Sequence, residues 1–157
     1  MSSAQGVFIS TATAIPVADA YALPALETVL TELNKHPGSA SLALNMQELH
    51  IPLQAMISVP VEAQASPDGG RHAWHLEIRA ASRPQMYPTF EGRLRLAPAG
   101  ERSSELQLDG RYQVPLGALG KALDSTFLRG AAHASVQRFV RELAHRVAML
   151  ARWARLS

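Results

Sequence analysis

The stretch that decides the fold runs from residue 72 to residue 114 and contains the segments HAWHLEIRA (72–80), TFEGRLRLA (89–97) and ELQLDGRYQV (105–114). In each segment apolar residues alternate with charged or polar ones, and a period of two places the two sets on opposite faces of a β-strand. Such strands form an antiparallel sheet with one dry face and one wet face. The dry face requires a cover, and the long amphipathic segment after Pro115 is the candidate for it.

Weaker patterns before this stretch extend the predicted sheet. Residues 7–13 are rich in small and β-branched side chains and predict the first strand, and residues 40–49 and 53–64 predict two further strands. After the first strand, residues 19–33 predict one or two short helices that are broken near Pro24. The expected order is therefore a strand, short helices, about five or six strands and one long helix.

The composition fits one globular domain that covers residues 1–157, with fraying expected at 1–6 and 152–157. A chain of 157 residues with 47% hydrophobic content can bury roughly 70% of its unfolded surface. Because the chain has no cysteine, disulfide bonds, thiolate metal ligands and cysteine nucleophiles are excluded. No segment has the pattern of a secretion signal or of a membrane-spanning helix, so the sequence predicts a soluble, cytoplasmic protein.

Positive charge is concentrated in the predicted C-terminal helix. Residues 119–157 carry seven Lys or Arg and two acids, a net charge of +5, which leaves −3 for the rest of the chain. The ordinary interpretation is a solvated helix face. The alternative is a weak contact with an anionic membrane or a protein partner through Arg138, Arg141 and Arg152, with Trp153 as an interfacial anchor. A nucleic-acid partner is not expected, because aromatic residues make up only 6% of the chain and no nucleic-acid-binding motif is present.

Two motifs in the second half of the chain carry a resemblance to a known family. An aromatic-Pro-x-Phe-x-Gly stretch occupies residues 87–92, and a Gly-x-Tyr-x-x-Pro-x-Gly stretch begins at Gly110 and leads into the long helix. In these motifs and in the order of its elements the chain resembles small members of the START and polyketide-cyclase-like superfamily, also called SRPBCC or helix-grip proteins. The resemblance implies an α+β fold in which a curved antiparallel sheet of about six or seven strands wraps around a long C-terminal helix, with short helices after the first strand. It also implies an apolar cavity between sheet and helix for lipid-like or aromatic ligands.

The alternation then indicates which side chains line such a cavity. The predicted ligand-binding residues are the inward-facing side chains of the strands and of the helix: Met46, Ile57, Val59, Trp74, Leu76, Ile78, Phe90, Leu94, Leu108, Tyr112, Leu123 and Phe127, together with Ala134. Tyr112 is the best inward polar group. The alternative is an ordinary core filled by these side chains, since protein interiors pack near crystal density.

The sequence contains no convincing catalytic constellation. His72 and His75 are three residues apart on a predicted strand, so they face opposite sides and are poor partners for one metal ion. Glu77, Glu91 and Asp109 fall on the wet face, whereas acid-base catalysis requires carboxyl groups whose pKa values are shifted by burial. We therefore predict no catalytic residue, no metal ion and no cofactor.

Three functions of different classes remain. The leading one is non-catalytic binding or transport of a hydrophobic small molecule, lipid-like or aromatic and polyketide-like, in the cavity. The second is an aromatase or cyclase of polyketide-like substrates, in which Tyr112 or Asp124 assists proton transfer. The third is a peripheral protein that docks on an anionic membrane or partner through its basic C-terminal helix.

Overall fold

The described residues form six strands and two helices. The computed structural model describes residues 6–35, 40–45, 56–70, 72–80, 89–113 and 125–156, and the side chains within 8–35, 63–70, 72–79, 89–111 and 133–154. In chain order the elements are β1 (Gly6–Ile15), α1 (Asp19–Lys35), β2 (Ala40–Asn45), β3 (Met56–Pro67), β4 (Ala73–Ala80), β5 (Thr89–Gly100), β6 (Ser103–Gln113) and α2 (Ser125–Leu156). This order agrees with the expectation from the sequence.

The strands form one antiparallel sheet in the order β1-β6-β5-β4-β3-β2. Strands β2 to β6 follow one another as neighbours, and β1 pairs with β6 from Gly6 opposite Gln113 to Ile15 opposite Ser104. Within the described residues, β1 and β2 are therefore the two edges of the sheet. Both of these strands contact α2. Because one helix meets both edges, the sheet must curve around it, and the predicted α+β helix-grip fold is confirmed.

The central strands have one buried face and one solvent-facing side, as the alternation predicts. On the inner face Trp74 lies opposite Leu94, Leu94 lies opposite Leu108, and all three are buried. In a neighbouring row on the outer face Arg93 lies opposite Asp109, and both side chains reach solvent. The two sets of residues that alternate in the sequence therefore separate into a core side and a solvent side.

The first helix differs from the expectation. The break predicted near Pro24 does not occur, because α1 is one helix of 17 residues rather than two short ones. Pro24 is exposed and lies in the second turn, so its ring meets solvent and its missing N–H removes one hydrogen bond near the start of the helix. The opposite side of α1 is buried in the core, at Ala22, Ala25, Leu26, Leu30 and Leu33. This packing holds the helix together across the proline.

The buried side of α2 changes along the helix. Its first buried positions are Ser135, Val136 and Phe139, and the later ones are Val140, Leu143, Ala144, Val147, Ala148 and Ala151. At 100° per residue, the centres of these two groups lie roughly 100° apart around the helix axis. The helix therefore turns a different side to its neighbours as it crosses the molecule, where it contacts both the sheet and α1. Within the described residues, no helix is both long and apolar enough to cross a membrane.

Candidate ligand-binding site

The inner face of the sheet carries the described part of the predicted cavity wall. Its side chains come from β4, β5 and β6, where alternate residues point inward. The exposed fractions are 7% for Trp74, 0% for Leu76, 1% for Ile78, 1% for Phe90, 0% for Leu94 and 0% for Leu108. The structure therefore brings these six predicted residues to one buried, apolar face.

The other predicted wall residues fall into three groups. Two lie outside the described residues, namely Met46 and Leu123. Four lie in described elements, Ile57 and Val59 in β3, Tyr112 in β6 and Phe127 in α2, but their side chains are outside the described set. The last, Ala134, is only partly buried on α2. A lining role for these residues stays a prediction. Further along β3, Ala63 and Ala65 are buried, and their small side chains gave no signal in the sequence.

Phe90 fills a gap in the wall that two glycines create. Gly92 lies opposite Gly110 on the inner face. A Cβ atom at Gly92 would come within 2.9 Å of the Phe90 ring, and one at Gly110 within 2.7 Å. The same two Cβ atoms would also meet the backbone oxygens of Asp109 and Glu91. The strands approach too closely here for any side chain, so glycine is required and the Phe90 ring occupies the space above it.

Trp74 marks the end of the wall where α1 supplies helical neighbours. It lies opposite Pro67 and, together with Glu27 and Leu30 of α1, lines an open groove of about 390 Å³. The sequence pattern placed Trp74 beneath the long helix. It did not indicate that α1 lies beside this residue. An apolar helix stripe shows that a helix is covered on one side but not which end of the sheet it covers.

Asn34, near the end of α1, completes the hydrogen bonding of β3 at this end of the sheet. Its Nδ2 donates to the carbonyl oxygen of Ala65 at 2.7 Å, and the Ala65 N–H donates to its Oδ1 at 2.8 Å. Among the described residues, the last pair of β2 with β3 is Ala40 with Val61, and the side-chain amide pairs with β3 four residues further on. A second, polar groove of about 250 Å³ lies beside it, lined by Asn34, Gln64, Ala65, Ser66, His75 and Glu77. Sequence reasoning missed this residue, which looks like an ordinary helix-end asparagine.

The two histidines near the start of β4 have separate partners. His72 Nε2 lies 3.1 Å from Asp19 Oδ2 and links the start of α1 to the turn before β4. His75 Nε2 lies 3.3 Å from Glu91 Oε1 on the outer face. Within the described part of the chain, no three His, Cys, Asp or Glu residues could hold one metal ion.

Charged side chains of the central strands pair with one another on the outer face. Arg79 lies 3.5 Å from Glu77, and Arg95 donates to Asp109 at 2.9 Å. The buried polar side chains of the described residues are hydroxyls, on Thr11, Ser104 and Ser135. One of them, Ser104 Oγ, donates to the Val17 carbonyl at 2.8 Å and fixes the link between β1 and α1. What the described inner face offers a molecule is therefore mainly apolar contact.

This geometry matches that of solved structures at the level of the fold. The chain is similar to a START superfamily protein from Mycobacterium smegmatis, with a TM-score of 0.56 and 15% identity over 91% of this chain and 98% of the other. It is also similar to the Zhui aromatase/cyclase from Streptomyces sp. R1128, with a TM-score of 0.55 and 12% identity over 94% of each chain. A conserved protein from Geobacillus kaustophilus gives a TM-score of 0.57 and 12% identity over 92% of this chain and 95% of the other. No protein-family model and no curated protein matches the sequence. The chain has the START-like, helix-grip fold that its motifs indicate.

Proposed function

We propose that the protein binds or transports a hydrophobic small molecule, lipid-like or aromatic, between the inner face of the sheet and α2, without converting it chemically. The observation that carries the proposal is the combination of a buried apolar inner face with a sheet whose two edges both reach α2. An apolar wall favours apolar cargo. Because Leu76, Leu94 and Leu108 are 0% exposed, such a cargo must displace the side chains that cover them. A cytoplasmic location is part of the proposal.

The affinity in such a site comes from apolar burial. A fatty-acid-sized chain that buries about 450 Å² gains about 11 kcal/mol at about 25 cal/mol per Å². Lost translational and rotational freedom removes several kcal/mol of this gain, and micromolar binding corresponds to about 8 kcal/mol. A cargo of this size therefore needs no charged partner in the wall to reach useful affinity.

The direct test is occupancy. Native mass spectrometry of gently purified protein should show an added mass that organic solvent removes, and titration with a fluorescent fatty acid should saturate at one molecule per chain. Protein that stays empty against fatty acids, sterols and polycyclic aromatics contradicts the proposal.

A pair of matched substitutions separates the wall from the rest of the core. Phe90 and Leu106 are 1% and 0% exposed, but Phe90 belongs to the predicted wall, whereas Leu106 lies opposite Leu96 further along β6. We expect Phe90→Ala and Leu106→Ala both to lower the free energy of unfolding, by about 2–5 kcal/mol. Only Phe90→Ala should change fatty-acid affinity, by about fivefold or more, or move the preferred ligand to a bulkier one.

Equal ligand affinity in these two variants would contradict the assignment of the wall. If Phe90→Ala does not fold, Phe90→Leu replaces it in the comparison with Leu106→Ala, because it removes less side-chain volume. The unfolding midpoint in urea measures stability, and the fluorescent titration measures affinity, so the two effects are read independently.

The cyclase alternative depends on Tyr112 and Asp124, whose side chains lie outside the described part of the chain. It stays a prediction with its own test on a poly-β-ketone mimic. Loss of turnover in Tyr112→Phe with binding retained would support it, and absence of turnover by the unaltered protein would contradict it.

A further inference from the structure

The outward side of the C-terminal half of α2 carries two large apolar side chains within a band of arginines. Trp153 is 69% exposed and Met149 is 48% exposed. They are four residues apart and are therefore neighbours on one side of the helix. At 100° per residue, Arg141 and Arg152 lie on one side of this pair and Arg146 on the other. We call Met149, Trp153 and these three arginines the Met149–Trp153 face. The exposed acid Glu142 lies in line with the pair, two turns earlier along the helix.

Positive charge predominates in this part of the helix. Between residues 133 and 154 there are four bases, Arg138, Arg141, Arg146 and Arg152, and one acid, Glu142, for a net charge of +3. The opposite side of the helix is fixed in the core, at Leu143, Ala144, Val147, Ala148 and Ala151. The Met149–Trp153 face is therefore displayed on a helix that is already folded, and a partner meets it without an added cost of ordering the backbone.

We propose that the Met149–Trp153 face docks on an anionic lipid surface. Tryptophan is enriched at the boundary between headgroups and acyl chains, and basic side chains are attracted to the surface of an anionic bilayer. An apolar centre with arginines on both sides matches a helix that lies in the plane of the membrane, where the centre meets the acyl boundary and the flanks meet phosphate groups. This docking does not depend on the ligand proposed for the interior.

The chemistry of the face argues against a second copy of the chain as its occupant. A two-fold contact through this face would bring three arginines of each copy close to those of the other, with only one acid, Glu142, on each side, and like charges oppose such a contact. An acidic protein surface would pair with the arginines, but it would leave the central apolar pair without an apolar partner. The lipid surface accounts for both features.

The experiment measures flotation of the full chain with vesicles of two compositions. One is phosphatidylcholine alone, and the other contains about one third phosphatidylserine, an anionic lipid. We expect binding to the anionic vesicles at about 0.05 M NaCl and its loss at about 0.5 M, because salt screens surface charge. Absence of binding at low salt, or equal binding to both compositions, overturns the proposal. An acidic protein as the true partner would give the first of these results.

Matched variants locate the contact. Trp153→Ser is compared with Phe8→Ser, because Phe8 is also 69% exposed but lies on β1. Arg141→Glu with Arg152→Glu is compared with Arg79→Glu and Arg102→Glu, a pair of exposed arginines elsewhere that gives the same change in net charge. The helix variants should bind anionic vesicles about tenfold more weakly or worse, whereas the controls should stay within about twofold.

Equal losses in helix and control variants would overturn the proposal, since they would indicate a general charge effect. Far-UV circular dichroism confirms that each variant is folded. The chain has two tryptophans, so in Trp74→Phe the remaining fluorescence comes from Trp153. That signal should shift to the blue on anionic vesicles and be quenched by brominated acyl chains, and an unchanged signal in the presence of bound vesicles contradicts the geometry. Native mass spectrometry of Trp153→Ser shows separately whether the interior ligand is retained.

Discussion

At the residue scale, the close approach of β5 to β6 depends on two positions that have no side chain. Gly92 and Gly110 face each other where β5 and β6 approach closely, and the Phe90 ring takes the space above them. Glycines on the concave side of a sheet favour bending around a helix, because side chains there would crowd one another. The glycines and the phenylalanine therefore act as one packing unit within the inner face.

Replacing one of these glycines should be costly. We expect Gly110→Ala to lower the free energy of unfolding by about 2 kcal/mol or more, because its Cβ would meet the backbone of Gly92 and the Phe90 ring. Gly70→Ala is the control, since nothing lies within 4 Å of a Cβ there, and it should change stability by about 0.5 kcal/mol at most. Urea denaturation measures both. Similar losses in the two variants would contradict the close approach of β5 and β6.

Burial of single wall residues could be predicted from the sequence, but their exact surroundings could not. Alternation assigns Leu76, Leu94 and Leu108 to the dry face, and all three are buried. It does not indicate that the Phe90 ring folds over glycines, because a period of two fixes the face of a residue and not the direction of its side chain within that face. The residue pattern therefore locates the wall without giving the shape of the space in front of it.

At the element scale, the strands were more predictable than the helices. Each predicted strand overlaps an observed one, since turns and alternation mark strands over short distances. In α1, the break predicted near Pro24 is absent because tertiary burial outweighs one lost hydrogen bond. In α2, the amphipathic pattern predicts an apolar stripe through Val140, Leu143, Val147 and Leu150, of which the first three are buried and Leu150 is partly buried. The stripe missed Ala144, Ala148 and Ala151, since alanine is common on both sides of helices.

The join between α1 and the sheet gives a prediction at this scale. Asn34→Leu keeps a side chain of similar size but leaves the Ala65 N–H and carbonyl without the partners they have now. We expect a loss of about 1–3 kcal/mol in the free energy of unfolding, together with a greater tendency to self-associate through the uncovered strand. Chemical denaturation and light scattering measure the two effects.

The neighbouring substitution Lys35→Ala provides the comparison. Its ammonium group lies 3.7 Å from Glu32 in an exposed pair, and such pairs contribute at most about 1 kcal/mol. If Asn34→Leu behaves like Lys35→Ala in both measurements, the amide of Asn34 does not stabilise the sheet edge.

At the scale of the whole molecule, α2 connects parts of the chain that are far apart in sequence. It contacts β1 at one edge of the sheet, β2 at the other, and α1. The sequence could predict this arrangement only through the resemblance of its motifs to helix-grip proteins, because local patterns do not indicate which edges a helix joins. A structure closed in this way should unfold as one unit, since neither the curved sheet nor the helix can cover its apolar face alone.

Cooperative unfolding can be measured with two probes that report on different elements. In a Trp153→Phe background the remaining Trp74, 7% exposed, reports on the sheet and α1, while far-UV circular dichroism is dominated by the helices. Leu143→Ala removes a side chain of α2 that is 5% exposed, and we expect it to lower the free energy of unfolding by about 2–5 kcal/mol. Both probes should then move to the same lower midpoint in urea.

Met149→Ala, on the exposed side of the same helix, should shift neither midpoint by more than the equivalent of about 0.5 kcal/mol. A Trp74 midpoint that stays in place while helical signal is lost earlier would mean that α2 is a separate cooperative unit and that the sheet does not depend on its grip of the helix.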